Sequence, residues 1–144
     1  MTFNEDGLKI IKQFEGCELK AYVDARGIPT IGYGHTSRVS LGMVITQAQA
    51  DEFLKQDVQY TARIVQHLVP RHLNDNQFSA CVSLAYNIGT GRFTTSKLLK
   101  ALQSNNLRAA ADLFLAFDEC KKKVEVGLER RRAAERALFL KPIV

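Results

Sequence analysis

The helical spacing of apolar residues is interrupted only once along the chain, and that interruption limits the fold to one class. Leu8, Ile11 and Glu15 fall on one face of a first helix that Asn4 or Asp6 can cap. From Leu19 to Val44 helical spacing disappears. Tyr22-Val23, the turn Asp24-Ala25-Arg26-Gly27 and the run from Ile28 to Tyr33 predict a hairpin, with Met43-Val44-Ile45 as a third short strand. Thr46-Gln47-Ala48-Gln49 then has capping-box spacing and opens a long helix whose stripe runs through Ala50, Phe53, Leu54, Val58, Ala62 and Val65, stopping near Pro70. Asn74 to Gln77 repeats the start signal ahead of Phe78, Cys81, Val82, Ala85 and Ile88, which end at Gly89. Further helices are predicted at about 95–103, 107–117 and 128–140. The class is α+β: an N-terminal helix and small β-hairpin lobe at about 1–45, joined by the long helix to a mainly helical lobe at about 46–144. Together they make a single domain with a cleft expected between the lobes.

Composition supports a self-sufficient core. At 144 residues, 46% of them hydrophobic, roughly 68–70% of the unfolded surface can be buried. The formal charge of +5 is not evenly spread: residues 1–72 hold eight basic and eight acidic side chains, residues 73–144 twelve and seven. The excess favours an anionic partner, whether nucleic acid, a membrane surface or an acidic wall polymer. The clusters Lys121-Lys122-Lys123 and Arg130-Arg131-Arg132 read as a solvated face, with Arg131 and Glu135 able to pair at i, i+4.

Several chemistries are excluded. No Walker loop, dinucleotide fingerprint or zinc pattern is present, and His67 and His72 form no ligand motif, so neither metal nor cofactor is implied. No nucleic-acid-binding motif accompanies the positive charge. Cys17, Cys81 and Cys120 are too few and too far apart for a disulfide framework. No Cys-His motif makes Cys17 a nucleophile, and Cys81 sits on an apolar stripe. The acidic N-terminus is unlike a signal peptide, and no apolar run approaches the roughly 18 residues a membrane span needs. A soluble chain from a reducing compartment, without an integral membrane segment, is expected.

Two carboxylates and a hydroxyl stand out as candidates for chemistry. Glu15 closes the first helix on its apolar face, Asp24 lies in the hairpin turn, and Thr30 follows six residues later on the returning strand. Carboxyl groups in such unlike surroundings suit glycosidic-bond hydrolysis, where one protonates the leaving oxygen and the other acts on the opposite face of the sugar. The same residues also fit a helix-end acid and an ordinary turn aspartate.

The wording of the segment bears on that choice. Phe14-Glu15-Gly16, Leu19-Lys20-Ala21-Tyr22-Val23-Asp24 and Gly27-Ile28-Pro29-Thr30-Ile31-Gly32-Tyr33-Gly34-His35-Thr36 closely resemble the catalytic segment of phage-type lysozymes, glycoside hydrolase family 24. The resemblance continues through Gln56-Asp57-Val58, Ala85-Tyr86-Asn87-Ile88-Gly89 with Phe93-Thr94-Thr95-Ser96, and Gly127-Leu128, Arg131-Arg132, Glu135 and Leu138-Phe139. It implies a lysozyme-like fold and a muramidase that cuts the β-1,4 bond from N-acetylmuramic acid to N-acetylglucosamine in peptidoglycan glycan strands, by inversion. Glu15 would be the general acid, and Asp24 with Thr30 would hold the water. Tyr86, Asn87 and Ser96 would contact sugar, and His35 with Asp57 would form a structural ion pair. The resemblance further implies a monomer held in the host cytoplasm until a separate holin-type pore admits it to the wall. One stretch departs from the family: Cys120 and Lys121 to Val126 replace a Trp and a glycine-rich loop, and the chain has no Trp. A binding module that holds peptidoglycan without cutting it, and a basic nucleic-acid binder, are the competing readings.

Overall fold

In the computed structural model, which describes residues 1–117, 119–120, 123–124 and 126–143, helix α1 (Glu5–Glu15) starts where Asn4 Oδ1 accepts the Gly7 N–H at 3.1 Å. It stops at Gly16, whose φ of 68° belongs to the left-handed region that glycine enters without strain. Strand β1 (Glu18–Val23) follows and pairs antiparallel with β2 (Pro29–Gly32), Tyr22 standing opposite Thr30.

The third strand expected at 43–45 is reduced to a single bridge. Lys20 pairs with Val44, the Ala21 N–H donates to Met43 O at 2.9 Å, and the Ile45 N–H donates to Leu19 O at 2.9 Å. Gly42, with φ 94°, enters this segment from a turn, and Thr46 already caps the next helix, so no length remains for a ladder. That cap is a complete capping box. Thr46 Oγ1 accepts from the Gln49 N–H at 3.1 Å, and Gln49 Oε1 accepts from the Thr46 N–H at 2.9 Å, opening α2 (Gln47–Leu68).

A second capping box, between Asn74 and Gln77, opens α3 (Asp75–Ile88). The helices predicted beyond it are present in subdivided form. A short α4 (Thr90–Thr94) precedes α5 (Lys97–Gln103), while α6 (Leu107–Leu113) tightens into a 3₁₀ turn at Phe114–Ala116. Two-residue strands β3 (Glu119–Cys120) and β4 (Lys123–Val124) pair antiparallel before α7 (Val126–Leu140). The side chains from Cys120 to Val126, including the Lys121-Lys122-Lys123 run, lie outside the described residues.

Contacts divide the chain into two compact units, Ile11–Tyr60 and Met1–Ile10 with Thr61–Val144, so the boundaries run through α1 and α2. The smaller unit is built on Ala21, Ile31, Ile45 and Ala50, ringed by Cys17, Tyr33, Val39, Met43 and Phe53. In the larger, Phe78, Leu84, Phe93, Leu98, Leu102 and Phe114 are buried, and α7 lies along α3.

That helix pair corrects the reading of the arginine cluster as a solvated face. Arg130 is exposed, but Arg131 is 2% and Arg132 0% accessible. Both reach the buried carboxylate of Glu135: Arg131 Nε lies 3.2 Å from Oε2 and Arg132 Nε 2.7 Å from Oε1. The Ser83 hydroxyl of α3 donates to Glu135 Oε2, Arg131 Nη2 donates to Ser83 O at 3.1 Å, and Arg132 Nη1 donates to Phe117 O at 3.3 Å. Burial pushes the Glu135 carboxyl up, while Arg132, Arg131 and the Ser83 hydroxyl pull it down. The i, i+4 pairing of Arg131 with Glu135 is therefore present, inside the protein rather than on its surface. Glu135→Ala should lower the unfolding free energy by about 3–5 kcal/mol, since it strips two buried guanidinium groups of their carboxylate. Urea denaturation of the variant checks it.

Candidate active site

Asp24 builds the turn in which it stands. Its Oδ1 accepts the Arg26 N–H at 2.8 Å and the Ile28 N–H at 2.9 Å, and its Oδ2 lies 3.2 Å from the Arg26 guanidinium. The backbone closes the same loop, with the Asp24 N–H donating to Ile28 O at 3.0 Å and the Gly27 N–H to Asp24 O at 3.0 Å. Gly27, at φ 80°, supplies the reversal that a side chain would strain. The Ile28 N–H bond, followed by the bonds from Arg26, holds the Asp24 carboxyl below the ordinary carboxylate range, with partial burial opposing it. The group is ionised at neutral pH.

Thr30 is fixed by the same turn. Its hydroxyl donates to Ile28 O at 2.8 Å, and the residue is 3% accessible. With its proton engaged, Oγ1 keeps acceptor capacity. Ile28 thus links the pair, its N–H held by Asp24 and its carbonyl by Thr30.

Glu15 occupies the last position of α1, half-buried where the stripe that includes the wholly buried Ile11 opens toward solvent. The charge of Glu15 reaches the hairpin at Tyr22. The phenol is pushed up first by burial and then by the negative charges of Glu15, Glu18 and Asp24, which together keep it protonated. Tyr22 also stands across the ladder from Thr30. The sequence pattern does not single it out. Its place two residues before Asp24 and opposite Thr30 is the signal that could have done so.

His35 is delivered by a tight turn in which Ile31 and His35 exchange backbone hydrogen bonds at 2.9 Å around Gly32 and Gly34, at φ 65° and 89°. The buried imidazole stacks on Phe53, with centroids 4.2 Å apart and planes 12° from parallel, and its Nδ1 meets Asp57 Oδ2 at 2.7 Å. Phe53 and Asp57, one helical turn apart on α2, form a socket that tethers the end of the hairpin.

A family model for phage lysozyme matches residues 12–135. The chain belongs to the phage lysozyme family. The endolysin of Salmonella phage P22 is 44% identical over 97% of this chain and 99% of its own length. Among solved structures, the muramidase domain of SpmX from Asticaccaulis excentricus superposes with a TM-score of 0.91 at 34% identity, covering 98% of this chain and 99% of that one. A P22 lysozyme variant gives 0.86 at 43% identity, again over 98% and 99%. As a family member, this chain is a glycoside hydrolase of the lysozyme type.

The other expected site residues of this phage lysozyme all lie in the larger unit. Tyr86 is half-buried and Asn87 exposed at the end of α3. Ser96 has a different employment. It is 7% accessible, caps α5 by accepting the Leu99 N–H at 3.1 Å, and donates its proton to Phe93 O at 2.7 Å. The role this geometry gives it is that of helix cap. Cys17 is half-buried with Sγ 3.8 Å from Gln47 Oε1, and the Cys81 thiol is pushed far up by burial, then by Glu135. Among the described residues no helix is long and apolar enough to cross a membrane.

Two measurements test this geometry. The Asp24 carboxyl should titrate below 3.8 in the folded protein, and its stabilising effect should be full above that pH and fade as pH falls through the lower folded value. Carbon NMR of the carboxyl group reads the midpoint directly. Asp57→Asn should cost about 1–2 kcal/mol by weakening a hydrogen bond to a charged group at a half-exposed site. Thermal unfolding should register that loss while hydrolysis persists.

Proposed function

We propose that Glu15, Asp24 and Thr30 hydrolyse the β-1,4 bond from N-acetylmuramic acid to N-acetylglucosamine in peptidoglycan by direct displacement with inversion. The single observation that supports the assignment is the shared Ile28 clamp, in which the ionised Asp24 accepts the Ile28 N–H and the Thr30 hydroxyl donates to the Ile28 carbonyl, on the hairpin of a phage lysozyme. A carboxylate whose acidity is raised by backbone hydrogen bonds is a weak base. It suits orienting a water and stabilising the positive charge that develops on the sugar ring, and it takes the proton that the water gives up as its oxygen bonds to the anomeric carbon. Thr30 Oγ1 accepts a hydrogen bond from the same water. Glu15 protonates the leaving oxygen, and the Tyr22 phenol stays protonated in the field of the neighbouring carboxylates.

Tyr86 and Asn87 are proposed sugar contacts, Tyr86 by its ring face and Asn87 by an exposed amide. On this reading the enzyme acts as a monomer, waits in the cytoplasm of the infected host, and reaches the wall through a separate holin-type pore.

Purified protein added to isolated sacculi, beside Glu15→Gln, tests the assignment. The wild type should clear them and release new reducing ends, and the variant should lose about 10²–10⁴-fold in rate. NMR of the first-formed product should show the inverted anomer. Retention, or sedimentation with sacculi without clearing, would overturn the mechanism or the activity respectively.

A further inference from the structure

The larger unit holds a cavity of about 510 Å³ in which no residue of the catalytic hairpin takes part, lying where the start of α3, α6 and the end of α7 meet. That volume falls within the range of ligand pockets, roughly 300–1,000 Å³. Its apolar wall comes from Leu107, Ala111, Phe139, Leu140 and Pro142. Its polar lining is almost entirely donors.

The capping box of α3 explains part of this bias. Asn74 Oδ1 accepts the Gln77 N–H at 2.8 Å and Gln77 Oε1 accepts the Asn74 N–H at 2.9 Å, so both amide oxygens are engaged and the two NH₂ groups are left. Three cations add to them. Arg136 donates twice to Asp112 Oδ1, at 2.9 and 3.2 Å, and the Lys141 ammonium meets Asp6 Oδ2 at 2.8 Å. Asp112, the one carboxylate in the lining, is thus already held by Arg136. Arg108 has no carboxylate partner among the described residues. The Lys141 backbone is pinned over the cavity by Asn76 Nδ2, which donates to its carbonyl at 3.0 Å.

We propose that this cavity binds a short acidic peptide, with a carboxylate on Arg108 and the amides of Asn74 and Gln77, and small apolar side chains against Phe139 and Leu140. A concave, donor-lined pocket takes the end of a flexible anion, whereas a bilayer surface needs protruding apolar groups to enter it. Identifying the source as the stem peptides of peptidoglycan rests on the muramidase reading, and gives the enzyme a second hold on the wall.

The probe is N-acetyl-L-alanyl-D-glutamate, which carries two carboxylates, titrated into the full chain and followed by backbone amide chemical shifts. Saturable shifts are expected at Gln77, Leu107, Ala111 and Leu140. Affinity should fall about tenfold in Arg108→Ala, through loss of one charge-assisted bond. It should be unchanged in Lys100→Ala, an exposed cation on α5 outside the cavity. Arg108 is exposed and has no carboxylate partner among the described residues, so the variant should melt with the wild type. Four results would overturn the proposal: no saturable shift, equal weakening in both variants, equal binding of the diamide analogue, or Arg108-dependent capture by phosphatidylglycerol vesicles with no response to the dipeptide. Peptide binding is read without turnover, so its failure leaves clearing of sacculi intact, and failed clearing leaves this binding readable.

Discussion

A single carboxylate organises the catalytic hairpin. Asp24 gathers the N–H groups of Arg26 and Ile28 into a closed turn, and the Ile28 carbonyl then receives the Thr30 hydroxyl. The group assigned to the reaction is therefore the group that shapes the loop. This coupling constrains chemistry as well as conformation: the hydrogen bonds that order the turn stabilise the charged form and make the carboxylate a poor proton acceptor. On the proposed mechanism, Asp24 serves chiefly orientation and electrostatics, and proton delivery to the leaving oxygen falls to the residue at the end of α1.

The hairpin is held at both ends by different means. At one end, Gly16 breaks α1 directly after Glu15, so the acid's position follows from helix termination. At the other, the Gly32–Gly34 turn inserts His35 into the socket of Phe53 and Asp57. Around Tyr33 a further set of contacts closes the smaller unit. Lys12 Nζ sits 5.8 Å from the ring centroid, and Gln47 Nε2 donates to the phenol at 3.2 Å and to Asp51 Oδ1 at 3.0 Å. Such short-range restraints compensate for a sheet of only two strands, which by itself is marginal in water.

Much of this was legible in the sequence, because the signals were local. Thr46 with Gln49 and Asn74 with Gln77 are reciprocal caps over four residues, and both form. The pairing of His35 with Asp57 was readable only through resemblance, since 22 residues separate them. At Ser96, expected from the resemblance to contact sugar, the hydroxyl is also an N-cap, satisfied by a bond three residues away. Local composition failed at the arginine cluster. Arg130-Arg131-Arg132 has the composition of a surface patch, and nothing within α7 reveals that Ser83, 52 residues before Glu135, completes a buried network around it.

That network changes what the positive charge means. Arg131 and Arg132 face Glu135 in the interior, Arg136 is matched by Asp112 and Lys141 by Asp6, so four cations of the second half act within the protein before they act on a partner. Among the described residues, the charge left to face outward includes Lys97, Lys100, Arg108 and Arg130, which stand apart on α5, α6 and the start of α7. Dispersed charges of this kind raise the encounter rate with an acidic envelope but give little orientation, because their fields are screened within about 10 Å at 0.1 M salt. Orientation must come from concave sites with directed donors. On the readings proposed above, the hairpin supplies one for the sugar, and Arg108 supplies another where it lines the cavity between α3, α6 and α7 beside Asn74 and Gln77.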